Sequence, residues 1–253
     1  MKTDDRLSEL LAVRWEALLA RLADIAAAHP DALLASSMGV EDSLLIHALM
    51  QLPQPLGVFM LDTDMLHAET LAMVDVVRDR YGLDVQLMHP DSGAVAAYVA
   101  DHGKYAFYES VALRQECCAI RKVEPLRRAL AGHSAWITGQ RREQSVTRAE
   151  LPESQWDESF GLQKFNPLAT WSTKDVWAVV RALDVPYNPL HDRGYPSIGC
   201  EPCTRAVRPG EDLRAGRWWW EQRQSRECGL HVAPAAHPHT PTVIPRNLPH
   251  SSV

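Results

Sequence analysis

ALLASSMGVEDSLLIHALM, residues 32–50, decides the fold. Ala32 to Ala35 is a short apolar run of strand length, Ser36-Ser37-Met38-Gly39 is a polar turn, and apolar residues recur at helical spacing from Glu41 to about Met50. This is strand, loop, helix, and the order repeats. Leu56–Leu61 reads as a strand, Ala68–Tyr81 as a helix stopped by Gly82, and Val85–Met88 as another strand. Such alternation predicts an α/β fold, a parallel sheet with helices on both faces. Farther on, Ala135–Thr138 is a strand running into Gly139, and Lys174–Leu183 is a helix capped by Ser172 or Thr173. The α/β domain therefore spans 31–185. Leucines at spacings of three and four place an amphipathic helix over 6–28, closed by His29-Pro30, so residues 1–30 form a helical cover. Residues 186–231 are rich in Pro, Gly, Arg, Cys and Trp with little periodicity, a lobe held by ligands or by docking onto the sheet. Residues 232–253 carry five of the 17 prolines and read as a flexible tail.

The 253 residues include 26 Lys+Arg against 32 Asp+Glu, a net charge of −6, with 46% hydrophobic residues. That balance offers no global attraction to nucleic acid or to an anionic membrane, so any anion site is local. No apolar run approaches the roughly 18–20 residues of a membrane span, and the charged amino end lacks a signal-peptide core. The cytoplasm is the expected compartment, where the five cysteines act as thiols, metal ligands or catalytic groups.

Four cysteines form two close pairs, Cys117-Cys118 and the CxxC Cys200/Cys203. Two such pairs can meet around one metal centre, zinc or a [4Fe-4S] cluster, although adjacent cysteines suit a tetrahedral zinc poorly. Cys228, flanked by Glu227 and Gly229 just before the tail, is either a bystander or a reactive thiolate whose pKa neighbouring Arg226 and His231 would lower. The Ser36–Ser43 turn is either an anion site at a helix start or a plain turn capped by Ser36 or Ser37. It lacks the Gly-Lys-Ser/Thr of a phosphoryl-transfer loop. Seven basic residues crowd 121–148 and six arginines crowd 205–226, local excesses that suit a small polyanion. Trp218-Trp219-Trp220 reads as packing for the cysteine lobe, and His67 as a structural loop histidine.

These stretches in this order resemble the assimilatory sulfonucleotide reductases, the enzymes that reduce adenylylsulfate (APS) or phosphoadenylylsulfate (PAPS). The matching segments are Ser36–Ser43, Leu61-Asp62-Thr63 with His67, Glu116–Lys122, Thr138–Ser145 with Arg148, Ile198–Arg205, Gly216–Glu221 and Glu227–His231. The resemblance implies an adenine nucleotide alpha hydrolase-like fold of PP-loop type and a [4Fe-4S] cluster on Cys117, Cys118, Cys200 and Cys203, a set marking the APS-preferring branch. It implies that Cys228 attacks the sulfur of APS, expels AMP and carries an S-sulfocysteine, from which thioredoxin or a glutaredoxin-like reductant releases sulfite. It assigns Lys122, Arg214, Arg217 and His231 to the phosphosulfate, and Ser36, Ser37, Leu61, Gly139 and Arg148 to the nucleotide. The implied partners are that reductant and APS, with no nucleic acid and no membrane; a homo-oligomer is compatible. Asp64-Met65 departs from the Gly-Arg often found there, and nothing matches beyond His231. The rival readings are PAPS or dual specificity, a PP-loop ATP pyrophosphatase, and a zinc-stabilised adaptor.

Overall fold

The computed structural model describes residues 8–145 and 148–221. Helix α1 (Glu9–Ala28) leads into β1 (Leu33–Ser36), α2 (Val40–Leu49), β2 (Gly57–Leu61), α3 (Ala68–Tyr81) and β3 (Gln86–Met88). Then follow α4 (Ser92–His102), α5 (Val111–Cys118), α6 (Glu124–Leu130), β4 (Ala135–Thr138), β5 (Ser154–Asp157), β6 (Leu162–Phe165) and α7 (Thr173–Ala182). The strands form one sheet in the order β3-β2-β1-β4-β6-β5. Five are parallel, as the alternation of strands and helices predicts. The sixth, β5, folds back antiparallel on β6 and makes the edge, so the sheet is mixed. Ser-Gln-Trp-Asp carries no apolar alternation, which is why β5 is not evident in the sequence.

Period-two alternation sends side chains to two cores. Leu34, Val58, Met60, Ala135 and Ile137 pack with buried residues of α1, α2, α3 and α7. Leu33, Ala35, Phe59, Leu61 and Trp136 face the other way, with Leu126, Ala129 and Leu130 of α6. Helices therefore cover both faces. Two expected ends are in place: Gly82 stops α3 at φ 68°, and Ser172 caps α7 in a reciprocal box with Asp175.

A third cluster lies off the sheet, where Tyr98 of α4, Phe107, Cys117 and Cys118 of α5, Cys200, Cys203 and Trp218 are buried together. Short bridges tie this lobe to the loop after β2. Cys200 pairs with Leu66, and the Glu201 amide donates to Met65 O at 2.7 Å. Among the described residues no helix is long and apolar enough to cross a membrane.

Candidate active site

From β1 the chain runs outward through β2 to β3, whereas β4 pairs with the opposite side of β1. Connections diverging from adjacent parallel strands leave a crevice at the carboxyl ends of those strands. A cleft of about 640 Å³ opens there, lined by the segments that follow β1 and β4. Eight residues expected at the substrate line it together: Ser36, Ser37, Leu61, Lys122, Gly139, Arg148, Arg214 and Arg217. Cys228 and His231 lie outside the described residues, as does the 232–253 tail.

The loop after β1 is internally hydrogen-bonded. The Ser37 amide and hydroxyl both donate to Asp42 Oδ2, at 2.6 and 2.7 Å, and the Met38 amide donates to Ser36 Oγ at 3.1 Å. The Val40 amide, first of α2, donates to His191 Nε2 at 3.0 Å. Neither serine caps α2. Gly39 stands at the cap position, because Asp42 draws Ser37 into a bond across the turn.

Asp42 is fully buried, and loss of hydration pushes its carboxyl up to about 6 against the bonds from Ser37. The folded state therefore favours the protonated acid. That preference stabilises the fold below the unfolded value of 3.8 and is lost as pH rises through about 6. Asp42→Asn removes the titration, since its amide oxygen can still accept from Ser37. Relative to that variant, the wild type should lose up to about 3 kcal/mol of stability between pH 4 and pH 6. Parallel urea curves across that range would disprove the assignment.

Glu41 organises the opposite lip. Its Oε1 accepts from Arg141 Nε and Nη2, at 3.0 and 2.8 Å, and from Gln144 Nε2 at 3.1 Å. Gln144 Oε1 in turn accepts from Arg148 Nη1 at 2.6 Å, which sets the position of that cation. Gly139 is required where β4 meets this network, because a Cβ there would overlap Asp42 Oδ1. The motif Thr138–Ser145 points to this region, but which of its residues pair with α2 is visible only in three dimensions.

Cations line another wall. Arg217 Nη1 donates to Ile198 O at 3.0 Å, and its guanidinium lies 4.6 Å from the Trp218 ring centroid. Arg114 and Arg214 approach the same ring at 4.9 and 5.9 Å. Trp218 itself lines the cleft and belongs to the cysteine cluster, so one indole touches both chambers. A Cβ on Gly199 would overlap the Arg217 guanidinium. Gly199→Ala should displace that flexible head without disturbing the backbone. Substrate affinity should fall about tenfold, close to the loss in Arg217→Ala, with little change in melting temperature. Wild-type affinity in Gly199→Ala would show that Arg217 is not held for binding.

Behind Trp218, all four paired cysteines are buried and free of disulfides. Cys117-Cys118 end α5 and run straight into a π-turn, Ala119–Val123, whose Lys122 lines the cleft. Burial pushes the Cys203 thiol up to about 12, with the neighbouring Cys200 adding to the rise, and burial likewise raises Cys117. Left alone these thiols stay protonated; a metal centre supplies the positive charge that thiolates there require. Among the described residues no three of the sulfurs lie within 4.8 Å of one another. The two pairs, buried in one cluster, offer four sulfur donors to a single centre.

Three expectations resolve locally. His67 is a buried residue at the start of α3, its ring edge-on to Tyr195 at 5.5 Å, and it does not line the cleft. Asp64 takes up φ 56°, a conformation that favours glycine, and pairs with Arg121 at 3.5 Å. Trp218 is buried in the lobe, whereas Trp219 is exposed and stacks edge-on with Trp220. Sequence reasoning missed Asp42, Glu41, His191 and the buried Arg114–Glu221 pair. Glu41, Asp42 and Glu221 lie inside the matching segments Ser36–Ser43 and Gly216–Glu221 without a role that the sequence gives them, and nothing local marks His191 or Arg114.

This mostly parallel sheet with a strand–loop–helix entering a switch-point cleft defines the adenine nucleotide alpha hydrolase-like, PP-loop class. A crystal structure of phosphoadenylyl-sulfate (PAPS) reductase from Candida auris in a phosphate complex shares it. That chain is 26% identical with a TM-score of 0.61, over 79% of this chain and 98% of the other. The family model for the phosphoadenosine phosphosulfate reductase domain matches residues 31–206, and the chain belongs to that family. It is 59% identical to the adenosine 5'-phosphosulfate reductase of Burkholderia cepacia, over 97% of this chain and 96% of the relative. It is 49% identical to the protein of that name from Allochromatium vinosum, over 91% and 93%.

Proposed function

We propose that this enzyme reduces APS to sulfite and AMP, the reaction class named for its relatives at 59% and 49% identity. One observation carries the reading: Lys122, Arg148, Arg214 and Arg217 converge on a single switch-point cleft in a protein of net charge −6. Guanidinium and ammonium groups so placed neutralise a phosphosulfate and stabilise the charge that develops on the departing phosphate.

In the first step the Cys228 thiolate attacks the sulfur of APS. A sulfur–sulfur bond forms, the sulfur–oxygen bond to phosphate breaks, and AMP departs with the electron pair. In the second step a dithiol reductant of thioredoxin or glutaredoxin type attacks Cys228 Sγ, and sulfite leaves with the electrons of the sulfur–sulfur bond. The second thiol of the reductant then closes its own disulfide and returns Cys228 as thiolate. Two electrons thus pass from dithiol to sulfur. A Cys228 that must return to the thiolate in each turnover, and lobe cysteines free of disulfides, suit a reducing compartment such as the cytoplasm.

Cys117, Cys118, Cys200 and Cys203 would hold a [4Fe-4S] cluster, which when bound supplies a fixed charge centre beside the cation wall. The chain's own contribution is geometric. The Ile198 carbonyl and Gly199, immediately before Cys200, seat Arg217, and the π-turn after Cys118 carries Lys122.

The deciding experiment incubates anaerobically purified full-length protein with thioredoxin and either APS or PAPS, with iron and sulfide counted in the same sample. Sulfite from APS that requires the reductant is the expected result. Equal rates with PAPS would move the enzyme to dual specificity, and sulfite from neither would sink the reading.

A further inference from the structure

We propose that His191 is a specificity-determining residue that closes the opening of α2 to a second phosphoryl group, so that the cleft refuses polyphosphates. The proposal deepens the nucleotide reading above and rests on it for the cleft's natural ligand. A loop between a strand and a helix start normally presents unpaired amides to an anion. Here Ser37, Met38 and Val40 each have an internal acceptor. The first two acceptors are local, Asp42 in the first turn of α2 and Ser36 at the end of β1. The third comes from 151 residues away.

His191 is firmly built in. It begins the short 3-10 turn His191–Arg193, and its own amide donates to Asn188 O at 3.1 Å. Buried Asn188 bonds Thr70 Oγ1 at 2.9 Å, anchoring the turn on α3. The imidazole stands edge-on to Trp177 at 5.4 Å and 86° and lines the cleft. Burial holds the ring on its neutral side, against the pull of Glu41, so Nε2 offers a lone pair to Val40. A neutral nitrogen thus occupies the place where a phosphate oxygen would accept that amide. On the same helix turn the Glu41 carboxylate already engages Arg141, so that cation is not available to a further phosphate. One anionic group can still reach Lys122, Arg148, Arg214 and Arg217 on the other walls.

The test titrates inorganic pyrophosphate into full-length wild type, H191A, H191Q and the double variant H191A/V40P by calorimetry. Freeing one amide to a charged acceptor should tighten pyrophosphate about tenfold in H191A. H191Q should behave as wild type, because its amide oxygen can take the place of Nε2. Val40→Pro removes the freed donor, and proline suits the first helical position after an extended Gly39 (φ −76°, ψ 169°), so the double variant should lose the gain. A gain below about threefold in H191A, or one that survives Val40→Pro, would overturn the proposal. Should H191A fail to fold, H191S replaces it, its hydroxyl too short to reach Val40. AMP is titrated in parallel. Failure of AMP to bind wild type counts against the nucleotide reading, while the pyrophosphate comparison still decides His191.

Discussion

Cys228→Ser yields an enzyme that binds APS and forms no sulfite. A serine hydroxyl at neutral pH is almost wholly protonated and is a far poorer nucleophile toward sulfur than a thiolate, and no second cysteine remains to substitute. The other four are buried in the lobe behind Trp218, and burial raises the thiol pKa of Cys117 and Cys203. The loss should reach the detection limit of the assay, at least about 10³-fold. Equilibrium binding of APS and the iron content should stay at wild-type levels, since the cation wall is built from other residues. Mass spectrometry supplies an independent readout: wild type given APS without reductant gains one sulfonate on the peptide containing Cys228, and the variant does not. Residual turnover of more than a few per cent, or sulfonate on another cysteine, would remove Cys228 from the chemistry.

Arg114→Met is expected to bring the protein close to unfolding. Arg114 is fully buried and forms a two-pronged bond to Glu221, Nε to Oε1 at 2.8 Å and Nη2 to Oε2 at 3.0 Å. Its guanidinium also lies over Trp218. Methionine fills much of the same volume but leaves a buried carboxylate without its counter-charge. Such single losses cost about 3–5 kcal/mol, a large part of an ordinary domain's stability of about 5–15 kcal/mol. Replacing both partners, Arg114→Met with Glu221→Leu, removes the stranded charge and should restore most of the loss. Urea denaturation of the three proteins distinguishes the cases. A single variant within about 1 kcal/mol of wild type would mean that the pair contributes little.

Much of the architecture is legible in the sequence because it depends on local pattern. Residues 32–50 spell a strand, a turn and a helix, and the same signals recur to β4 and α7. Helix α4 is harder to read. Ser92–His102 is a run of small and apolar residues with weak polar contrast, and Tyr98 is its one buried side chain. The cap of α2 shows a different limit. Two serines before a helix announce a cap, yet Asp42, five residues on, competes for Ser37, and local preference cannot decide between them. Among site residues, the cysteine pairs and basic clusters declare themselves by composition. His191 and Glu41 do not, since each gains its role from a partner 100 or more residues away.

The pairing of β1 with β4 sets Leu33 beside Trp136, a separation of 136 − 33 = 103 residues. Closing so long a loop is entropically slow, and no local contact can substitute for it. During synthesis β1, β2 and β3 emerge well before β4, leaving the inner edge of β1 unpaired and its apolar side chains open to other chains. The same closure brings Ala35 beside Thr138, both of which line the cleft, so its floor is assembled in one late event. Shortages of chaperone or slow translation past residue 138 should therefore appear first as aggregation, and soluble protein that escapes should be fully competent.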